Sequence, residues 1–576
     1  VLGGSEPKHF YAYHYFNKIS HFMRHINWFY SWFNVWFVSI SFGCIVLAAP
    51  VGLVFVSIFF PQTEIWQHLY STVLSDYIVN SLVLAFGVGF LVIVIGTVLA
   101  WCIARYEFAG RKQLQWLILL PMAMPAYIIA YTYTGLLDFA GPVQTLLRKT
   151  FHWQYGDYYF PDIRSLPGAI IMLSLVLYPY VYMLARTAFS EQPSSLEEVS
   201  RSLGVSPRKH LFKVVLPLAR PAILMGAALA MMEAFADYGT VQYFGLSTFT
   251  TGIFRTWFGL GNGIAAAQLA AMLTSFVVLL LILEYLSRRK IRYYFQGQRA
   301  QQVNRQKLTG SKAFWVPFVC AIPVFFGFIL PVMQLLKWAS MTYSKQLTSE
   351  FWLLLWNSFY LAAIAAITAV SLALLFAYGK RLNPIKPIQF LVGVVNLGYA
   401  VPGTVIAIGA MISLSWLDIK INTLTENWFD VSVGLVFSGS LFALILVYSS
   451  RFLAVAMHNI DTGLSRVKPS MDDAARSLGY KPLQVLRAIH VPLMKTSVLS
   501  ALLLVFVDVL KELPATLILR PFNFNTLAVR AFELASDERL MDAALPALAI
   551  VSVGILPVIL LTMLMDKSSP HSSQVN

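Results

Sequence analysis

Four acidic residues hold most of the ligand chemistry this chain can offer: Glu233 and Asp237, then Asp508 and Glu512. Each pair is spaced i, i+4, which puts both carboxylates on one helix face, and the second pair repeats the first at an offset of 275 residues. Carboxylate oxygens suit hard cations, a ferric ion among them. A charged side chain at a bilayer centre costs about 2.5–3.5 kcal/mol on insertion scales, so four of them need counter-ions, water or a bound cation. Two readings of these residues stand open. The carboxylates line a cation path, or they face the outer aqueous boundary and pair with Lys511, Arg255 and Arg530. Other site chemistries are poorly represented. His152, His210, His458 and His490 lack metal-ligand spacing, and Cys44, Cys102 and Cys320 lie in apolar spans without a CxxC pattern. The sequence contains no Gly-x-x-x-x-Gly-Lys-Ser/Thr loop to cradle nucleotide phosphates. It therefore reads as a protein without ATPase chemistry of its own and without a resident cofactor.

The elements that position these groups are membrane helices. The chain is 58% hydrophobic and 12% charged, with a mean hydropathy of +0.67, and apolar runs of about 20 residues, long enough to cross a bilayer, recur throughout. Spans are expected near 35–60, 78–104, 114–137, 166–189, 215–237 and 264–287, then 314–338, 353–379, 387–416, 431–457, 491–511 and 543–565. Pro121, Pro125 and Pro402 are expected to kink the third and ninth. This is an all-α integral membrane protein of about twelve helices in two homologous halves, related by a pseudo-twofold axis. The organisation reads as an amphipathic cytoplasmic segment 1–34, a first half 35–290, a basic linker 291–313, a second half 314–566 and a tail 567–576. The formal charge of +15 sits in short loops, a pattern that indicates topology and lipid headgroups rather than nucleic acid. The positive-inside rule puts both termini in the cytoplasm, and the first residues show no signal-peptide pattern.

A second feature shares the 275-residue offset. Glu198-Val199-Ser200-Arg201-Ser202-Leu203-Gly204 is echoed by Asp473-Ala474-Ala475-Arg476-Ser477-Leu478-Gly479, and prolines follow in register at Pro207 and Pro482, then Pro217 and Pro492. The pattern predicts helix, stop, helix. Ser194, Ser195 and Ser470 stand as N-caps, Gly204 and Gly479 as left-handed stops, and Pro207 and Pro482 open the next helix. Leu196, Val199 and Leu203, with Met471, Ala474, Ala475 and Leu478, offer apolar faces on the basic side.

These repeated segments resemble the EAA loop of ATP-binding-cassette importer permeases, the coupling helix that seats on an ATPase subunit. The first copy departs from the Glu-Ala-Ala pattern as Glu-Val-Ser, and the second opens with Asp. The resemblance implies coupling contacts at Glu197, Glu198, Arg201 and Gly204, and at Asp472, Asp473, Arg476 and Gly479. The run Asp508 to Phe524, continued by Asn525-Thr526-Leu527-Ala528 and Glu533 to Glu538, looks like the signature of fused ferric-iron importer permeases. It implies a permease of the bacterial inner membrane that moves Fe3+ by alternating access. Its implied partners are two ATPase subunits, as a homodimer that binds ATP and Mg2+, and an outer substrate-binding protein. A thiamine or other small-solute importer is the alternative, followed by an ion-coupled secondary transporter.

Overall fold

The computed structural model describes residues 35–154, 156–289 and 305–567. The amphipathic segment 1–34, the linker up to 304 and the tail from 568 lie outside the described residues. Hydrocarbon offers no partner for backbone N–H and C=O groups, so the apolar runs must satisfy them internally as helices. The first half contains α1 (Val35–Val56), α2 (Thr63–Thr72), α3 (Leu74–Arg105), α4 (Arg111–Leu117), α5 (Ala126–Leu137), α6 (Pro142–Phe151) and α7 (Leu166–Ser190). It continues with α8 (Ser194–Ser202), α9 (Pro207–His210), α10 (Leu216–Ala236), α11 (Gly239–Tyr243), α12 (Phe249–Phe254) and α13 (Gly263–Arg289).

The second half opens with α14 (Ser311–Val324) and α15 (Leu330–Gln346), joined by a π turn, followed by α16 (Ser349–Leu382), α17 (Lys386–Asn396), α18 (Gly403–Phe429) and α19 (Leu441–Ser465). Then come α20 (Pro469–Ser477), α21 (Pro482–Val485), α22 (Val491–Leu493), α23 (Lys495–Leu510), α24 (Pro514–Leu519), α25 (Leu527–Ser536) and α26 (Ala544–Lys567). The 275-residue register is physical: α7 and α19 begin and end at equivalent positions, and π turns at Leu211–Val215 and Leu486–His490 repeat it.

Among the described residues, nine helices are long and apolar enough to cross a membrane, and two bent pairs bring the number to eleven. With the apolar Ala544–Ile559, they occupy all the expected span positions. Several spans depart from the continuous helices expected. The third does not kink but breaks, with 91° between Arg111–Ala123 and Ala126–Phe151, and the eleventh bends by 84° at Met494. The ninth breaks likewise between α17 and Pro402, which serves as the N-cap of α18. The tenth starts only at Leu441, because 430–440 is a loop gripped by the fully buried Asp418. That carboxylate accepts from the N–H groups of Val436, Phe437 and Ser438 and from the Ser438 hydroxyl.

Each half is built on a trio. In the first, α7 and α10 pack on α3; in the second, α19 and α23 pack on α16. Glycines allow the close approach that helices without a hydrophobic drive between them require. A Cβ on Gly226 would stand 2.7 Å from the Val181 Cα. The leading helices are exchanged between halves: α1 packs on α17 and α18, while α14 packs on α4 and α15 on α5. At the first of these crossings a Cβ on Gly409 would lie 2.0 Å from the Pro50 carbonyl oxygen. Backbone cannot yield there as a flexible side chain would. Gly409→Ala should therefore destabilise the fold by about 1–3 kcal/mol, the usual cost of overpacking, read as a lower thermal midpoint of the purified protein.

Candidate functional site

All four carboxylates line one cavity of ≈150 Å³ between the halves. Tyr127, Tyr180, Glu233 and Asp237 come from the first half, and Tyr399, Arg451, Asp508, Lys511 and Glu512 from the second. Both acidic pairs fall in the last turns of α10 and α23 or just beyond them, in keeping with the expected spans 215–237 and 491–511. The cavity they line is level with the middle of α7, through Leu173 to Tyr180, and of α19, through Arg451 and Phe452. The reason is that α10 and α23 stop short. The chain continues as the short helices α11 and α24, whose first residues Gly239 and Pro514 are part of the cavity wall.

Each acid has a different assignment. Asp237 Oδ2 accepts from the N–H groups of Thr240 and Val241 at 3.1 Å, and Oδ1 from the Thr240 hydroxyl, so it caps α11. Glu512 caps α24 in the same way, accepting from the N–H groups of Ala515 and Thr516. It also forms a 2.8 Å ion pair with Arg451, whose side chain is 11% exposed against 2% for Glu512. Gly403 makes room for that pair, since a Cβ there would stand 2.3 Å from the guanidinium. Asp508 pairs with Lys511 at 2.8 Å. Glu233 has neither a hydrogen bond nor an ion pair among the described residues. Of the cations considered from sequence, only Lys511 joins the group; Arg255 donates to Ser247, and Arg530 pairs with Glu350 and Glu533.

Arg451 is the participant the sequence reading missed. Its signal was an arginine inside an apolar span, where it must find a carboxylate. The two cavity cations break the symmetry: 275 residues before Arg451 and Lys511 stand Val176 and Ala236. Formally, four acids less two bases leave the cavity at −2. Among the described residues no group of three or more His, Cys, Asp or Glu side chains could hold a metal ion.

The repeated segments form the helix–stop–helix pattern, with Gly204 (φ 70°) and Gly479 (φ 81°) left-handed at the stops. The serine caps are not formed. Pro193 and Lys468 occupy the N-cap positions, and Ser194 and Ser470 are already helical. Within each segment the acids divide. Glu197 turns inward to Arg105, at the end of α3, and to Arg201. Burial resists its ionisation, but the two guanidinium groups outweigh that and lower its pKa. Asp472 is bound at 2.8 Å by Arg381, which also donates to the carbonyls of Leu464 and Val467, and at 2.6 Å by His490. Glu198, Arg201, Gly204, Asp473, Arg476 and Gly479 are exposed. Leu203 and Leu478, equivalent by register, are 74% and 77% exposed.

Two exchanged halves, broken helices around a central polar cavity and a repeated exposed helix–stop–helix define a membrane permease with internal duplication. The chain belongs to the binding-protein-dependent transport system inner membrane component family, whose pattern it carries twice, at residues 92–292 and 369–571. It is 26% identical over 531 residues to the Fe(3+)-transport system permease protein FbpB 2 of Haemophilus influenzae, covering 90% of this chain and 96% of that one. The ferric transport system permease protein FbpB of Actinobacillus pleuropneumoniae is 25% identical, covering 82% of this chain and 69% of its own length. A probable sulfate transport system permease protein of Anthoceros angustus matches 35% of this chain at 27% identity, covering 68% of its own length.

Breaking a buried ion pair from one side typically costs about 3–5 kcal/mol, because the surviving charge is stranded. Arg451→Leu should therefore lower the thermal midpoint sharply, and adding Glu512→Gln should restore part of the loss. Equal midpoints for the single and double variants would show that the pair does not support the cavity wall.

Proposed function

We propose that this chain supplies both halves of the membrane domain of an ATP-binding-cassette importer for ferric iron in a bacterial plasma membrane, with both termini cytoplasmic. The observation that carries the reading is the convergence of the carboxylates of both halves on one mid-span cavity of net negative formal charge. Similarity along nearly the whole chain to permeases named for Fe(3+) supports the cargo. An oxyanion importer is the second reading, favoured by Arg451 and Lys511 in the cavity wall. Both cations are already neutralised by carboxylates, which weighs against it.

Two ATPase subunits, as a homodimer, seat on the repeated segments, and a soluble binding protein delivers cargo at the opposite face. Exposed Val199, Leu203 and Phe212, with Met471, Leu478 and Leu483, form the docking faces. Inward Glu197 and Asp472 tie the segments to α3 and α16. Each segment also runs through its π turn toward the helix bearing a cavity pair. Closure of the ATPase pair thus moves helices whose far ends are the cavity wall, the physical content of alternating access.

In proteoliposomes containing the permease, its ATPase pair and its binding protein, ATP should drive uptake of ferric iron but not of sulfate or thiamine. Sulfate or thiamine uptake without iron uptake overturns the cargo. Replacing both Leu203 and Leu478 by Asp should weaken ATPase capture at least about tenfold, the effect of losing roughly 1.4 kcal/mol at an interface. Undiminished capture would move the docking face elsewhere.

A further inference from the structure

The cavity acids repeat at 275 residues, but their partners do not. In the second half Arg451 holds Glu512 and Lys511 holds Asp508. In the first half no cation stands at either equivalent position, and Asp237 is spent on capping α11. Glu233 remains, partly exposed to the cavity and, among the described residues, without a hydrogen bond or a contact ion pair, although the charges of Arg451 and Lys511 reach it from farther off. Three phenols accompany it. Tyr180 and Tyr399, one from each half, line the same cavity within electrostatic reach of Glu233. Tyr127, 5% exposed, lines the same cavity with a buried hydroxyl that has no hydrogen-bond partner among the described residues. A free carboxylate and an orphaned hydroxyl around one void are the features of a site whose occupant is a ligand rather than the protein.

We propose that cation binding in this permease is one-sided: Glu233, flanked by the oxygens of Tyr180 and Tyr399, is the single carboxylate that contacts a hard trivalent cation in the central cavity. The other three carboxylates build the wall. The inference rests on the reading of the cavity as a cation path.

A transport site must hold its cargo firmly enough to admit it and weakly enough to release it. The number of charged oxygen ligands is the main control on that strength for hard cations. Four free carboxylates around a trivalent ion would make a trap. One carboxylate with neutral phenols makes a station. The second-half cations therefore act on cargo affinity by removing two carboxylates from the ligand set.

Tb3+ tests this directly, being a hard, oxygen-seeking trivalent ion whose luminescence is sensitised by excited phenols close to it. The full chain in nanodiscs of zwitterionic lipid, titrated with TbCl3 under tyrosine excitation, should show a saturable signal. Glu233→Gln should weaken binding at least about tenfold, equivalent to roughly 1.4 kcal/mol, with Glu233→Asp falling between it and the wild type. Tyr180→Phe and Tyr399→Phe should each reduce the sensitised emission. If Glu233→Gln does not fold, Glu233→Asp against the wild type gives the same comparison. Unchanged binding in the Glu233 variants overturns the proposal, as does an equal loss on Asp508→Asn, which would make the carboxylates equivalent. A wild type that binds Tb3+ through Glu233 but imports no ferric iron keeps this site and overturns the cargo. Iron import with Tb3+ binding indifferent to Glu233 does the reverse.

Discussion

A backbone group freed inside a membrane protein has no water to turn to, and the architecture around the central cavity follows from that constraint. Chain breaks at Met124–Pro125, Ala236–Gly239 and Leu510–Pro514 border this void. Each new helix begins with N–H groups that lack intrahelical partners. At the last two breaks a carboxylate supplies the acceptors, Asp237 for α11 and Glu512 for α24. At α24, Pro514 also removes one donor from the need. Burying Glu512 creates a second demand, for a cation, and Arg451 meets it from the middle of α19. The polar lining of the cavity is thus largely what it takes to stop and restart helices at mid-span, and what is left over is available to cargo.

Duplication supplies the frame and divergence supplies the site. The trios, the exchanged leading helices, the glycine stops and the π turns recur in both halves. Equivalent backbone, however, carries different charge: Val176 faces the register position of Arg451, and Ala236 that of Lys511. The same contrast appears at the repeated segments. Both tie a first-turn acid to an arginine near the end of a long span, but the first uses Arg105 and Arg201, and the second uses Arg381 with His490. What is preserved is an inward anchor and an outward apolar face, not the identity of the anchoring side chains.

Much of this was legible in the chain. Hydropathy located every span, and the turn chemistry of Gly204 and Gly479 was read from spacing alone, because a left-handed stop between two prolines and two helices favours glycine. The breaks were underestimated. Pro121, Pro125 and Pro402 read as kinks, since sequence shows where a proline interrupts hydrogen bonding but not whether neighbours hold the freed groups at a wide angle. The serine caps failed for a related reason: the helices start at or next to Pro193 and Pro469, whose fixed φ moves the first turn forward.

The all-helical duplicated membrane architecture and the register of the four carboxylates follow from the chain alone. Apolar length and a constant 275-residue offset are properties of the chain that any fold must respect. The level of those carboxylates against the neighbouring spans, and their separate assignments, came from packing. Ion pairs and caps are chosen by proximity in three dimensions, and residues as distant as Arg451 and Glu512 meet only after α19 and α24 have packed around the cavity. Which acid is left without a hydrogen bond or contact ion pair is therefore a fact about packing, and among the described residues of the cavity it is Glu233.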